Sequence, residues 1–328
     1  MSALRVIRHN HLVTVQDAGR TGAMRYGVSQ SGPMDWVRFR QALALAGKER
    51  AAFEIGIAGA AFRAEGRVVV GLAGPGFTAR VGEADAVALP ARLVLADGDT
   101  LTITPGQTGM WAYLAVAGID FGAPVLGSYA TNARTGLGAR DLDAAFPVDG
   151  PDGAEALLAA DIAMDDGPIG LLPGPQHHLF GADALQTFAA EPYTLTDKVD
   201  RMGYRLEGPP LKAETHDIIS DGIVEGAIQV PGNGRPIILC ADRAPTGGYP
   251  KIAVVALADR PRLTQLRPGA TVRFAFIDDA EARRRRAALA AALEAPPVPR
   301  VRSAFTSEYL ASRNLIGGVV SGEDPPPA

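Results

Sequence analysis

The sequence predicts a mainly β protein, of the β-rich α+β class, built from two related β-barrel halves. Short runs of β-branched and apolar residues recur along the chain, and convincing helices are few. Segments about 180 residues apart also repeat motifs in the same order, as an internal pseudo-duplication does. The 38 glycines and 25 prolines favour many turns between short strands.

The strand predictions rest on compact apolar runs, and most of these runs are flanked by Gly, Pro or Asp residues. Because few helices separate these runs, a parallel α/β sheet is disfavoured. The predicted strands cover residues 12–15, 67–72, 93–95, 100–104, 111–116, 236–240, 252–257 and 271–277.

Two helices are predicted. The first begins near Gly32-Pro33, with Pro33 at the first helical position, and ends at Gly47. Its apolar face is formed at spacings of three and four residues by Trp36, Phe39, Leu43 and Ala46. The second runs from Asp278 to about Leu293 and exposes the arginine run 283–286 to solvent, and the chain after Pro296 is predicted to be loose.

The repeated motifs suggest how the chain divides. The parallel pairs are residues 17–22 with 199–203, 68–77 with 237–243, and 97–101 with 267–272. Their common order favours two β-barrel halves that face each other across a cleft. We therefore expect an N-terminal half over 1–150, a C-terminal half over 151–280, and a helix with a loose tail over 281–328.

Composition and charge exclude several classes of function. The formal charge of -4, from 32 basic and 36 acidic residues, provides no global field for a polyanion, so nucleic acid is not an expected partner. The single Cys240 excludes an intrachain disulfide and a cysteine-built zinc site. No run approaches the roughly 18 apolar residues of a membrane span, and the start lacks a secretory signal, so a cytoplasmic protein is expected.

The densest polar cluster is the segment 241–251, which lies between two predicted strands. Arg243 and Lys251 flank the Gly247-Gly248 pair, so two cations and exposed backbone N–H groups can converge on a carboxylate, carbonate or phosphate. This arrangement predicts an oxyanion site. The alternative is a wide hairpin that uses both glycines for positive φ.

The segment 220–231, just upstream, places polar side chains at strand ends, where loops on rigid scaffolds usually carry sites. Gln229 can pair with an amide or lactam, and Asp221 can accept a proton. The alternative is ordinary turn chemistry for Asp221-Gly222 and a solvent-facing strand position for Gln229.

In the first half, residues 15–22 lead through 27–35 to the start of the first helix. Free N–H groups at a helix start favour an anion, and Ser29 or Ser31 can add a hydroxyl. Helix capping explains the same residues without a ligand.

Metal catalysis is not expected. In a strand, the adjacent His177 and His178 point to opposite faces, whereas His9 and His11 share a face but lack a third ligand. Cys240 ends an apolar run and is interpreted as a small buried residue. The sequence has neither a P-loop nor a Gly-x-Ser-x-Gly elbow, so any ATP is expected to bind to a partner.

Together, five blocks resemble the family of biotin-dependent carboxyltransferases and 5-oxoprolinase C subunits, also called allophanate hydrolase subunit 2. Five blocks in one order are far more specific than any single block, and the resemblance runs from about residue 4 to 277. The blocks are 15–20, 27–28 with 31–35, 200–208, 226–231, and 241–243 with 246–253.

The resemblance implies two cyclophilin-like β-barrel halves and a subunit that works beside companion proteins. One implied activity is ATP-dependent 5-oxoprolinase, in which the A and B subunits join this chain to convert 5-oxoproline to glutamate. The chain then binds no cofactor alone, and ATP is used through a partner. One alternative is transfer of a carboxyl group from carboxybiotin, on a carrier, to urea or a related amide. Another is a non-catalytic regulatory or binding protein.

Motif position and residue type together assign the candidate site. Arg243, Lys251 and Asp221 are the expected catalytic residues. The expected substrate-binding residues are Gln229, Gly247, Gly248, Tyr249, Arg201, Ser31, Gly32 and Arg20.

The chain also departs from the family pattern. Residues 127–140 lack the fuller Gly-Gly and Gly-Arg pattern, and Ala244-Pro245 replaces the more usual Gln-Thr before Thr246. Pro245 removes one backbone donor and restricts Ala244. The departures indicate that the oxyanion cluster can be tuned to another substrate.

Overall fold

A computed structural model describes residues 2–47, 49–150 and 155–297. Up to residue 158 the strands of this described part are β1 (Ser2–Arg8), β2 (Val13–Gln16), β3 (Ala52–Gly56), β4 (Ala60–Glu65), β5 (Val68–Ala73), β6 (Phe77–Val81), β7 (Val87–Ala88), β8 (Ala91–Leu95), β9 (Thr100–Pro105), β10 (Trp111–Val116), β11 (Ala145–Val148) and β12 (Leu157–Leu158). The later strands are β13 (Ile169–Pro173), β14 (Tyr193–Val199), β15 (Gly203–Glu207), β16 (Asp221–Gly222), β17 (Ala227–Gln229), β18 (Ile237–Leu239), β19 (Thr246–Gly247), β20 (Lys251–Val255), β21 (Thr271–Val272) and β22 (Phe274–Phe276). The helices are α1 (Trp36–Ala46), α2 (Ala182–Ala190), α3 (Arg260–Thr264) and α4 (Asp279–Glu294), with 3₁₀ turns at Met24–Tyr26 and His177–Leu179.

The first half consists of two antiparallel sheets around one core. Within the described residues each sheet has six strands, in the orders β11-β1-β4-β9-β6-β7 and β12-β8-β5-β10-β3-β2. Phe53 lies at the centre of this core, with its ring centroid 5.3 Å from Phe62 and 5.2 Å from both Phe121 and Phe146. Edge-to-face and tilted contacts of this kind stabilise the core by about 0.5–1.5 kcal/mol each, in addition to the effect of burying the rings.

Strand β10 is buried on both faces, which explains its uninterrupted apolar sequence. Ala112, Leu114 and Val116 point into the core of the first half. The alternate residues Trp111 and Tyr113 point into a second core, which the C-terminal half shares. The two halves therefore pack directly on each other through this sheet.

Helix α1 packs on the outer face of the same sheet, against β5 and β10. The approach is close, because a Cβ at Gly71 would lie 2.2 Å from the Ala42 carbonyl oxygen. Of the predicted apolar face, Phe39 and Ala46 enter the core, and Leu43 packs against it. The Trp36 ring instead donates Nε1–H to the Leu257 carbonyl at 3.1 Å, on the other half.

The predicted start of α1 at Pro33 is wrong, whereas its end at Gly47 is confirmed. The helix begins at Trp36, because the Asp35 side chain accepts hydrogen bonds from the backbone N–H groups of Val37 and Arg38, each at 3.0 Å. Aspartate at this position is a strong N-cap.

The second half is a nearly closed barrel. Its eight described strands lie in the order β21-β14-β15-β18-β17-β20-β13-β22. Arg273 alone separates β21 from β22, yet these two strands lie at opposite ends of that order. The sheet must therefore curl until its edges meet. A separate ladder pairs β16 with β19.

The predicted mainly β fold is confirmed, and every predicted strand region contains a strand, although 271–277 forms two. Helix α4 is also confirmed. Sequence reasoning missed 13 of the 22 described strands, among them β3 and β4, whose alanines have low β propensity. It missed α2, which lacks a side-chain cap. The predicted loose tail falls mostly on residues 298–328, outside the described residues.

The pairing of β12 with β8 shows that strands of the first half continue to Leu158. The next strand, β13, belongs to the eight-stranded sheet. We propose that the two halves divide between residues 158 and 169. Among the described residues, the helices are too short or too polar to span a bilayer.

Candidate functional site

Arg201, in the turn between β14 and β15, links the two halves through buried hydrogen bonds. Its Nε and Nη2 atoms donate to the two carboxylate oxygens of Asp242, each at 3.0 Å. Nη1 donates to Glu54 of β3, and Nη2 also donates to the Gly32 carbonyl at 2.8 Å. All these side chains are buried, so the guanidinium is fully engaged by the protein.

Glu54 is the partner of Arg201 in the first half. Its Oε2 atom accepts from the Met34 backbone N–H at 2.8 Å and from the Tyr113 hydroxyl at 2.7 Å. Burial raises the pKa of Glu54, and the charge of Arg201 opposes that rise. For Arg201, burial opposes the charged form, but Glu54 and Asp242 outweigh burial and raise its pKa. The network is a satisfied buried ion-pair cluster.

The segment Asp242-Arg243 is fixed by loops of the first half. Asp242 Oδ2 also accepts from the Ala133 backbone N–H at 3.0 Å. The Ser29 hydroxyl donates to the Arg243 carbonyl at 2.8 Å. The position of the Arg243 side chain therefore depends on both halves of the chain.

A cavity of about 420 Å³ lies beside this segment, on the outer face of the barrel. In β15 and β18 the side chains of Tyr204 and Ile238 point into the core. Their neighbours Arg205, Ile237 and Leu239 point into the cavity, as the two-residue period of a strand requires. The lining residues are Arg134, Lys198, Asp200, Met202, Gly203, Arg205, Ile223, Gln229, Ile237, Leu239, Arg243, Ala244, Thr246, Gly247, Gly248 and Tyr249.

The charges around this cavity are mostly positive. Four lining side chains are cationic and one is a carboxylate, although the whole chain carries a formal charge of -4. The cations are Arg134, Lys198, Arg205 and Arg243, and the carboxylate is Asp200. A concave site with this balance favours an anionic ligand.

Arg243 lies in the cavity wall and is buried. Its Nε atom donates to the Ile223 carbonyl at 3.1 Å, and its Nη1 and Nη2 atoms make longer contacts of 3.4 Å with Cys240 O and Gln30 Oε1. Burial lowers the pKa of Arg243, and the charge of Glu225 opposes this. Since guanidinium carries five N–H donors, some remain for a ligand.

Gln229, at the end of β17, is also buried and lines the cavity. Within the described part of the chain, its Nε2 atom has no hydrogen-bond acceptor. Because a buried amide N–H normally has a partner, this atom marks a place for an acceptor from a ligand or solvent.

Gly247 lies against that amide. A Cβ at position 247 would be 2.7 Å from both Gln229 Nε2 and Ile223 Cδ1, whereas one at Gly248 would meet nothing closer than 3.4 Å. Neither glycine has a positive φ, so the interpretation of a positive-φ hairpin is wrong. Gly247 instead belongs to β19 and pairs with Asp221.

We expect the substitution Gly247→Ala to lower the free energy of unfolding by about 1 kcal/mol, the low end of overpacking, because the new methyl group displaces only the flexible ends of the Gln229 and Ile223 side chains. Chemical denaturation monitored by circular dichroism measures the change. Gly248→Ala, in which the new methyl group makes only ordinary contacts, is the matched control and should remain close to wild type. Equal stability of the two variants would contradict the close approach.

Lys251 begins β20 and pairs across the ladder with Gln229. Its side chain is 1% exposed, and its Nζ atom lies 3.4 Å from Asp221 Oδ2. In the described chain this ammonium has no hydrogen-bond partner. The Asp221 side chain is 49% exposed. Both residues lie beside the cavity through their strand pairings but do not line it.

The Asp221 carboxylate receives three stabilising contacts. Gln176 Nε2 donates to Oδ2 at 3.2 Å, the Gly222 backbone N–H donates to Oδ1 at 2.7 Å, and Lys251 provides a positive charge. The hydrogen bonds from Gln176 and Gly222, followed by the positive charge of Lys251, lower the pKa of Asp221. Sequence reasoning missed Gln176, although it directly follows a Gly-Pro pair after a strand, where functional loops often lie.

The structure brings five of the predicted site residues together on the cavity, with Tyr249 at its rim, 42% exposed. These residues are Gln229, Arg243, Gly247, Gly248 and Tyr249.

The other predicted substrate-binding residues lie at the junction of the halves or in the first half. Ser31 is buried with φ 57°, and the Gly32 N–H donates to Gln16 Oε1 at 3.2 Å. Arg20 is buried and donates from Nε and Nη2 to carbonyls of the 125–130 segment, at 2.9 and 2.7 Å. With Arg201, these residues do not line the cavity.

The start of α1 is not an anion site. The Asp35 carboxylate already occupies its free N–H groups, so capping is confirmed and the anion interpretation is wrong. Gln265 Nε2 donates to the second Asp35 oxygen at 2.8 Å, which ties this cap to the C-terminal half.

Comparisons with known proteins agree on one family. The sequence profile of the "Carboxyltransferase domain, subdomain A and B" family matches residues 26–276. The chain is 36% identical to the 5-oxoprolinase C subunit of Escherichia coli, over 83% of this chain and 90% of that protein. It is 31% identical to the 5-oxoprolinase C subunit of Haemophilus influenzae, over 82% and 89% of the two chains.

Among solved structures, urea amidolyase of Kluyveromyces lactis superimposes on this chain with a TM-score of 0.79 and is 26% identical to it in sequence. The match covers 89% of this chain but 20% of that much longer chain. The profile match and the coverage of the bacterial relatives show that this chain belongs to the carboxyltransferase domain, subdomain A and B, family.

Proposed function

We propose that this chain is a subunit of a 5-oxoprolinase that opens the lactam of 5-oxoproline to glutamate in an ATP-dependent reaction. Its bacterial relatives are named as the C subunit of 5-oxoprolinase, and the match covers nearly their whole length. The companion A and B subunits supply the rest of the enzyme. Because the sequence has no P-loop, ATP binds on a companion subunit.

The observation that carries this proposal is the chemistry of the cavity wall. A buried guanidinium, Arg243, and a buried unpartnered amide, Gln229, line the same positively charged cavity of the described chain. 5-Oxoproline is a small ring with one carboxylate and one lactam group. Cations suit the carboxylate, and the amide of Gln229 suits the lactam.

The catalytic roles follow from what each group can donate or accept. Addition of water to the lactam carbonyl creates an oxyanion, and the C–N bond then breaks as the nitrogen takes up the proton that the water releases. Cleavage of ATP to ADP and phosphate on the companion subunit drives this ring opening. Arg243 supplies positive charge for the oxyanion from the cavity wall, and the buried ammonium of Lys251 adds to the positive field from beside that wall. Asp221 is the candidate acceptor for the proton of the attacking water, and its lowered pKa keeps it ionised but also makes it a weaker base.

The remaining candidate residues position these groups. Gly247 and Gly248 form the thin wall beside Gln229, and Tyr249 borders the opening. We assign Arg201 to the junction that fixes Asp242 and Arg243. The other first-half residues, Ser31, Gly32 and Arg20, support the same junction.

The test is glutamate release from 5-oxoproline and ATP by this chain co-expressed with its companion subunits. We expect activity from the full set and none when this chain is omitted. Full activity without this chain would refute the proposal. Purified complexes should be compared at equal concentration, with ADP release measured in parallel to detect ATP use that is not coupled to ring opening.

A second candidate function is carboxyl transfer from carboxybiotin, on a carrier, to urea or a related amide. The name of the matching family and the similarity to urea amidolyase favour it. Carboxybiotin would bring a carboxylate to the same cationic cavity. Transfer of labelled carboxyl from a carboxylated biotin carrier to urea, dependent on this chain, would support this function over lactam opening.

A further inference from the structure

A loop between β13 and the His177–Leu179 turn packs against the first residue of β20. The backbone N–H of Gln176 donates to the Lys251 carbonyl at 3.3 Å, and that of Gly174 donates to Ile252 O at 3.0 Å. A Cβ at Gly174 would lie 2.2 Å from Lys251 O. Only glycine permits this approach, so the loop has a defined position beside the candidate site.

The Gln176 side chain bridges two residues of that site. Its Oε1 atom accepts from the Lys251 backbone N–H at 3.2 Å, and its Nε2 atom donates to Asp221 Oδ2 at 3.2 Å. The backbone N–H can only donate, so it must face the amide oxygen. The amide therefore presents its NH₂ group to Asp221, and this orientation favours a carboxylate over a carboxylic acid.

The same Asp221 oxygen lies 3.4 Å from Lys251 Nζ. The hydrogen bonds of the Gln176 amide and the Gly222 N–H contribute most to lowering the Asp221 pKa, and the charge of the ammonium follows. β19, which pairs with Asp221, adds only the uncharged Thr246 and Gly247. The position and the pKa of the Asp221 carboxylate thus depend on the side chains of Gln176 and Lys251.

We propose that Gln176 is a positioning residue, which orients the Asp221 carboxylate toward Lys251. The role in turnover rests on the proposed function. The effect on Asp221 does not, because the isolated chain can report it.

The first experiment measures the pKa of Asp221 by carbon-13 NMR in the full isolated chain, assigned by comparison with Asp221→Asn. We expect the pKa to rise in Gln176→Ala, because a donor is lost, and to rise further in Gln176→Glu, because a negative charge is added. Gln186→Ala, on the exposed side of α2, is the matched control. An unchanged pKa in both Gln176 variants would overturn the proposal.

The second experiment measures pH profiles of glutamate release by the complete complex. In Gln176→Ala we expect kcat/KM to fall roughly tenfold to a hundredfold, since small misplacements of a reacting group have effects of this size. Because the Asp221 pKa rises, the acid limb should move to higher pH. An equal loss at every pH would show a merely structural role and overturn the proposal. A wild-type complex without activity would refute the proposed function, while the NMR result would still decide the role of Gln176.

Discussion

Replacement of Arg201 by methionine is expected to lower the free energy of unfolding by about 3–5 kcal/mol. The substitution preserves much of the side-chain volume but leaves the carboxylates of Glu54 and Asp242 buried without their cation. Uncompensated buried charge is far more costly than a lost surface contact. Equilibrium unfolding in urea, followed by circular dichroism, measures the difference.

Arg235→Met is the matched control for this prediction. Arg235 also pairs with a carboxylate, that of Glu207, but both side chains are 58% exposed. Exposed pairs of this kind contribute about 0–1 kcal/mol. Similar losses in Arg201→Met and Arg235→Met would contradict the view that burial makes the Arg201 cluster important.

The deficit of Arg201→Met, which is its loss of unfolding free energy relative to wild type, should also depend on pH. Burial raises the pKa of Glu54, so the Glu54 carboxyl keeps its proton to higher pH in the folded chain than in the unfolded chain. Stability from such a group is present below the unfolded pKa and is lost as pH rises through the folded pKa. Without Arg201 the pKa rises further, so the deficit should be larger at about pH 8 than at about pH 5. A deficit independent of pH would contradict this account.

Replacement of Lys251 by methionine is expected to reduce kcat of the complete complex by about tenfold to a hundredfold, because a charge beside the cavity wall stabilises the oxyanion less than a donor that touches it, whose removal costs about 10²–10³-fold. Methionine fills much of the buried volume that the lysine side chain occupies, but it carries no charge. The ammonium has no hydrogen-bond partner within the described chain and pairs at 3.4 Å with the half-exposed Asp221 carboxylate, so its loss should cost little stability. The kcat for glutamate release should therefore fall, whereas the free energy of unfolding measured in urea should change little.

Lys212→Met, at an exposed position distant from the proposed roles, is the control and should leave both measurements unchanged. Arg243→Ala combined with Lys251→Ala tests the two cations together. Full activity of that double variant in the complex would eliminate the oxyanion role of both residues.

Sequence reasoning named five of the residues that line the cavity, four of which are close together along the chain. The segment containing Arg243, Gly247 and Tyr249 is a single motif, and the same loop lines the cavity. The strands were predictable for a similar reason, since β-branched composition and turn residues are local properties. The function of the two glycines was not, because the contact that Gly247 makes with Gln229 joins two different strands.

The sequence by itself determined the mainly β class, nine of the 22 described strands and the polar motif at the cavity, all of which follow from local periodicity and composition. Only the tertiary structure decided that Arg201 links the halves and that Gln176 faces Asp221. Arg201 and Glu54 are 147 residues apart, and Gln176 and Asp221 are 45 apart. Closure of the second barrel and its packing on the first half bring these partners together, and no local pattern records such distant contacts.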